Sequence, residues 1–137
     1  MTRDEILNMS AGREIDIIVL RDILKYKPVY VQDGSLFGVV GELDCWYDEE
    51  GRFVSLGTSP SSDISTAWKV LEKMQIDCDG GSEPDYIMLI CYKELKPSWY
   101  CAKIWAHHDG DIPEFEVTAE TAPLAICRAA LLAMVTA

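Results

Sequence analysis

Thr121-Ala-Pro-Leu-Ala-Ile-Cys-Arg-Ala-Ala-Leu-Leu-Ala-Met-Val135 is the stretch on which the architecture turns. Thr121 offers a side-chain oxygen to a helix start. Pro123 falls in the first turn, where its missing N–H removes no bond. Leu124, Cys127, Leu131 and Met134 recur three or four apart and predict one apolar stripe. Ala125, Ala129, Ala130 and Ala133 keep the helix thin, so its backbone can come close to a sheet. Arg128 is its one charge. The rest of the chain is expected to give this closing helix something to pack on.

Directly upstream, three strands are expected over 86–118. Tyr86 to Lys93 leads through the turn Glu94-Leu-Lys-Pro97 into Trp99 to His107; Asp109-Gly110 then turns into about Glu114 to Thr118, with Pro113 at its start. Short connections make this an antiparallel meander. Its first two strands are apolar on both faces, which predicts cover on both sides of the sheet.

The N-terminal half supplies further helices. Thr2-Arg-Asp-Glu5 reads as a capping box. Ser10 is placed to cap a helix over about 11–25, with Ile15, Ile18, Val19 and Ile23 inward, Asp16 among the charges outside, and Pro28 as its stop. Val29 to Val31 reads as a short strand and Asp33-Gly34 as a turn. Leu43 to Tyr47 and Arg52 to Ser55 form a hairpin around Asp48-Glu-Glu-Gly51, and Gly57 to Ser62 is a loop. Ser62 or Asp63 caps a helix over about 64–75, whose stripe is Ile64, Ala67, Trp68, Leu71 and Met74, with Trp68 in the core. Asp77 to Pro84 is a loop. The expected fold is α+β: an α/β/α-type sandwich whose antiparallel sheet, the meander 86–118 plus the hairpin 43–55, is packed by helices over about 11–25, 64–75 and 122–135.

The totals agree with a single domain over 1–137. Hydrophobic residues make up 49%, too many for a disordered chain. No apolar run reaches the roughly 20 residues of a membrane span, and no signal-peptide pattern opens the sequence. A cytoplasmic location is therefore expected. The five cysteines form no C-x-x-C pair, which suggests reduced thiols used as small apolar residues. Acids outnumber bases 23 to 12, for a net charge of -11, which argues against duplex DNA and anionic membranes as partners.

No Walker loop, G-x-G-x-x-G, H-E-x-x-H or nucleophile elbow is present. No enzyme activity, metal or cofactor is expected. His107-His-Asp-Gly-Asp111 is the sole metal-like cluster, but neighbouring strand residues point to opposite faces. Anion binding has better material. Ser61, Ser62 and Thr121 stand at helix starts, where free N–H groups favour negative charge. Aromatic and basic residues interleave in two ribbons: Trp46, Tyr47 and Arg52 in one, Trp99, Lys103 and Trp105 in the other. Such sets suit stacking of a base, at about 1–3 kcal/mol per contact. These nine residues are the candidate ligand-binding set.

Three stretches resemble a known family, the small bacteriophage proteins of the phage ABA sandwich domain. They are Met1 to Asp16, Ser62 to Met74 and Ala119 to Ala133, with Thr121-Ala-Pro-Leu-Ala-Ile-Cys-Arg-Ala-Ala the most specific. About 26–58 lies outside the resemblance and reads as a divergent insert. The resemblance implies an α/β sandwich of phage origin and no established catalytic residues.

By analogy at the level of the class, a phage accessory protein of this kind is expected to act without catalysis in the host cytosol during infection. It would sequester a small nucleotide-derived immune signal, as an anti-defence sponge, at a site formed by a homo-oligomer. The alternative is an acidic inhibitor that binds a host defence enzyme or nucleic-acid-binding protein.

Overall fold

A computed structural model describes residues 1–32, 39–76, 86–92, 100–106 and 115–136. The expected turns at Asp33-Gly34, Glu94–Pro97 and Asp109-Gly110, the loop at 77–84 and the pair His107-His108 lie outside them, as does Trp99.

The chain opens with α1, Arg3–Asn8, held by the expected capping box: Glu5 N donates to Thr2 Oγ1 at 3.2 Å, and Thr2 N to the Glu5 carboxylate at 2.6 Å. The second helix differs from expectation at both ends. Ser10 does not cap it; α2, Arg13–Ile18, starts after Gly12, whose φ of 143° suits a residue without Cβ. It runs on as a π-helical turn, Val19–Ile23, in which Leu24 N reaches back five residues to Val19 O at 3.0 Å. The stop is Lys25, not Pro28. Lys25 takes a left-handed conformation at φ 60°, and Tyr26 N closes the end on Leu20 O at 2.9 Å. Pro28 lies in a strand instead.

That strand is β1, Lys27–Tyr30. It pairs antiparallel with β2, Leu43–Tyr47, which pairs with β3, Phe53–Val54. The turn between β2 and β3 is tied by Asp48, which accepts from Glu50 N, Arg52 N and Arg52 Nε, and Gly51 takes φ 81° there. Helix α3, Ile64–Ile76, follows. Asp63 caps it, accepting from Ser65 N at 3.2 Å and Thr66 Oγ1 at 2.9 Å. Its buried face is Ala67, Val70 and Leu71, rotated from the expected stripe. Ile64 is exposed, and Trp68, expected in the core, is 51% exposed.

The second sheet is the expected meander: β4, Tyr86–Tyr92; β5, Tyr100–Ala106; β6, Phe115–Ala119, all antiparallel. Among the described residues the two sheets do not pair with one another, and each has three strands. The closing helix α4, Ala122–Thr136, packs on β5 and β6 and against α3, α1 and the π-helical turn. It is buried on every side from Pro123 to Ala133 except at Arg128. A helix apolar all round belongs inside, and the alanines make this possible by letting five neighbouring elements approach. One core joins Leu131 and Ile126 of α4 with Val117 of β6, Leu20 and Trp46. The result is an α+β sandwich.

Over β6 the described residues leave one face of the sheet open to water. Ala102, Val117 and Ala119 are buried under α4, whereas Glu116 and Thr118, on the opposite face, are exposed. The face away from α4 is wetted there because β6 alternates apolar and polar residues.

Candidate functional site

Asp16 organises a well-defined site among the described residues. The sequence places it with the surface charges, yet it is buried. A buried carboxylate must have its oxygens satisfied. Here Ser61 N donates to Oδ1 at 2.8 Å and Ser59 Oγ to Oδ2 at 2.6 Å. Ser61 Oγ in turn accepts from Gly12 N at 3.0 Å, supplying from another segment the cap that Ser10 does not give. The loop 57–61 is thus knotted to the start of α2 across more than forty residues of chain.

Beside this knot lies a cleft of about 280 Å³. Trp46, Leu20 and Leu43 form its apolar wall, Asp16, Thr58 and Ser59 its polar wall, and exposed Arg13 and Leu56 stand at its rim. The arrangement offers a carboxylate acceptor next to an indole, with one cation outside. Among the described residues no group of three or more His, Cys, Asp and Glu side chains gathers to hold a metal ion. Cys45, Cys101 and Cys127 are buried, Cys101 donating to Glu116 Oε1 at 3.4 Å, and burial pushes the Cys127 thiol far above its ordinary pKa, away from reactivity.

Of the nine residues singled out from sequence, Trp99 lies outside the described residues and the other eight are spread widely. Trp46 is 1% exposed, a core residue that helps line the cleft and not the open stacking platform that the sequence suggests. Ser61 is fully buried, with its N–H engaged by Asp16 and its hydroxyl oxygen by Gly12. Tyr47 faces away, 40% exposed, opposite Phe53 in the register. Arg52 is paired with Asp48 at 2.9 Å and with Glu50, which raises its pKa and leaves little charge for an outside anion. Ser62 is exposed, but the start of α3 is already filled by the Asp63 carboxylate. Lys103, half-buried, and Trp105 lie on β5 opposite Glu116 and Ile87 respectively. Thr121 caps α4, accepting from Leu124 N at 3.4 Å. Of the eight, Trp46 lines the cleft, and Ser61 adjoins it through Asp16.

Arg13, Asp16 and Ser59 escaped the sequence reading. A signal for Asp16 was there. It stands four residues from Gly12 and three or four from Val19 and Leu20, on the inward face of the helix, where a carboxylate needs dedicated donors.

The family model described as the phage ABA sandwich domain matches residues 21–131. The chain belongs to that family. Membership marks it as a bacteriophage protein and accords with the sandwich just described. The matched span of this ABA sandwich protein takes in 26–58, the stretch that reads as an insert, and begins after the α2 residues that build the cleft. No curated protein and no solved structure matches the chain. No helix among the described residues is long and apolar enough to cross a membrane.

Proposed function

We propose that this phage protein works by binding without turnover, taking up a small nucleotide-derived host immune signal and withholding it. The observation that carries the reading is the cleft over Trp46, which sets a carboxylate acceptor and an aromatic edge in one recess with Arg13 at the mouth. Its volume of about 280 Å³ is near the lower end of small-molecule sites, about 300–1,000 Å³. A base or nucleoside would enter with its amino group toward Asp16. Phosphates would stay outside at Arg13, because Asp16 repels them from within. Calorimetry with cyclic nucleotides and ADP-ribose derivatives tests this. Heat is expected with one class, weakened in Arg13→Ala, with intact ligand recovered after heat denaturation. Absence of heat with every one of them would remove the reading.

A second reading rests on a different observation. Tyr47, Phe53, Ile64 and Trp68 are exposed on a strongly acidic chain. Aromatic side chains are enriched where proteins meet. An acidic inhibitor docking on a basic host protein fits them. A stoichiometric protein partner pulled from host lysate and lost in Phe53→Ser would favour this second reading over the first.

A further inference from the structure

The four sheet edges are not alike. On β1, Pro28 has no N–H to offer and Lys27 adds a charge; β3 has only two residues. On β6, Glu116 supplies a charge, and the Thr118 carbonyl already accepts from Arg128 at 3.1 Å. These are the devices by which edges avoid unwanted pairing. β4 has none of them. Tyr86-Ile-Met-Leu-Ile-Cys-Tyr92 runs seven residues without charge, proline or glycine, and among the described residues β5 alone pairs with it.

We propose that β4 is the edge through which two copies of this chain associate, pairing antiparallel about a two-fold axis at Leu89. A closed two-fold contact requires a surface that fits its own reverse. This strand reads nearly alike in both directions. Tyr86 stands opposite Tyr92 of the second copy, Ile87 opposite Cys91, Met88 opposite Ile90 and Leu89 opposite itself. No like charges meet, which matters because each copy carries a net charge of -11 and repels the other elsewhere. The product is one six-stranded sheet in the order β6-β5-β4-β4-β5-β6. This inference is independent of the ligand reading.

Sedimentation of the full chain, followed from roughly micromolar to millimolar concentration, should show a dimer. Leu89→Lys sets two ammonium groups across the axis and should weaken it by about tenfold or more. Should that variant fail to fold, Leu89→Cys provides the second test: mild oxidation should link it to itself, while the wild type stays unlinked. A monomer across that whole range, or a dimer that Leu89→Cys does not cross-link, would overturn the proposal.

Discussion

Arg128, in the middle of α4, donates from Nε and Nη2 to the Met9 carbonyl at 3.0 and 2.7 Å. Met9 is the C-cap of α1, so one guanidinium closes a helix end more than a hundred residues away. Its Nη1 also reaches Thr118 O at 3.1 Å, fastening β6 to the same point. Partial burial lowers the arginine's pKa without discharging it. Arg128→Ala should cost about 2–3 kcal/mol, since hydrogen bonds to charged groups contribute about 1.5–3 kcal/mol. Arg128→Lys should recover only part of this, because an ammonium lacks the planar fork. Urea unfolding of the three proteins measures both effects.

Asp16→Ala should be at least as costly. It leaves Ser61 N–H buried without its acceptor and Ser59 Oγ without its carboxylate. An orphaned buried donor costs about 1–3 kcal/mol. Asp16→Asn keeps one acceptor oxygen and should fall between. If the cleft is the ligand site, both variants should lose the calorimetric signal, whereas Arg52→Ala should keep it.

The hairpin turn should be acid-sensitive. Backbone N–H donation from Arg52, followed by the Arg52 guanidinium, holds the Asp48 carboxyl below the usual carboxylate range. A depressed folded-state pKa adds stability that is complete above the unfolded value of about 3.9. That contribution fades as pH falls through the lower folded value. Loss of the Glu50 and Arg52 amide protection below about pH 4 should follow, since both donate to the Asp48 carboxylate, and Asp48→Ala should lack this pH dependence. Hydrogen exchange at pH 3 and pH 6 would show whether it does.

Cys127 should not react in the native protein. It is fully buried within α4, and burial works against its thiolate. A thiol reagent should label Cys127 only on unfolding, as peptide mapping would show. Cys127→Ser should destabilise by about 1–3 kcal/mol, because it places a hydroxyl in an apolar site.

Trp68 and Phe53 should be dispensable for folding. They are 51% and 68% exposed. Trp68→Ser and Phe53→Ser should each change stability by no more than about 0.5 kcal/mol. Iodide should quench Trp68 and spare Trp46, a contrast that Trp68→Phe and Trp46→Phe resolve by difference.

The elements themselves were legible because helix and strand periodicity is written locally. The capping box at Thr2 and Glu5, the cap at Thr121, the turn at Asp48–Gly51 and the strands 86–92 and 100–106 needed only neighbours in sequence. Trp68 misled because an aromatic at helical spacing fits a stripe rotated by one residue equally well. Which rotation is buried depends on what lies opposite, and here Val70 takes the inward place.

Taken alone, the amino-acid order settled the class of the protein, the order of its helices and strands and the burial of its closing helix, since each rests on contacts between residues a few places apart. Only the tertiary structure decided that Asp16 is interior, that Ser61 serves the start of α2, and that Arg128 reaches Met9 and Thr118. Those bonds join segments distant in the chain. A polar side chain's partner across such a distance is fixed by packing, which no local pattern of residues encodes.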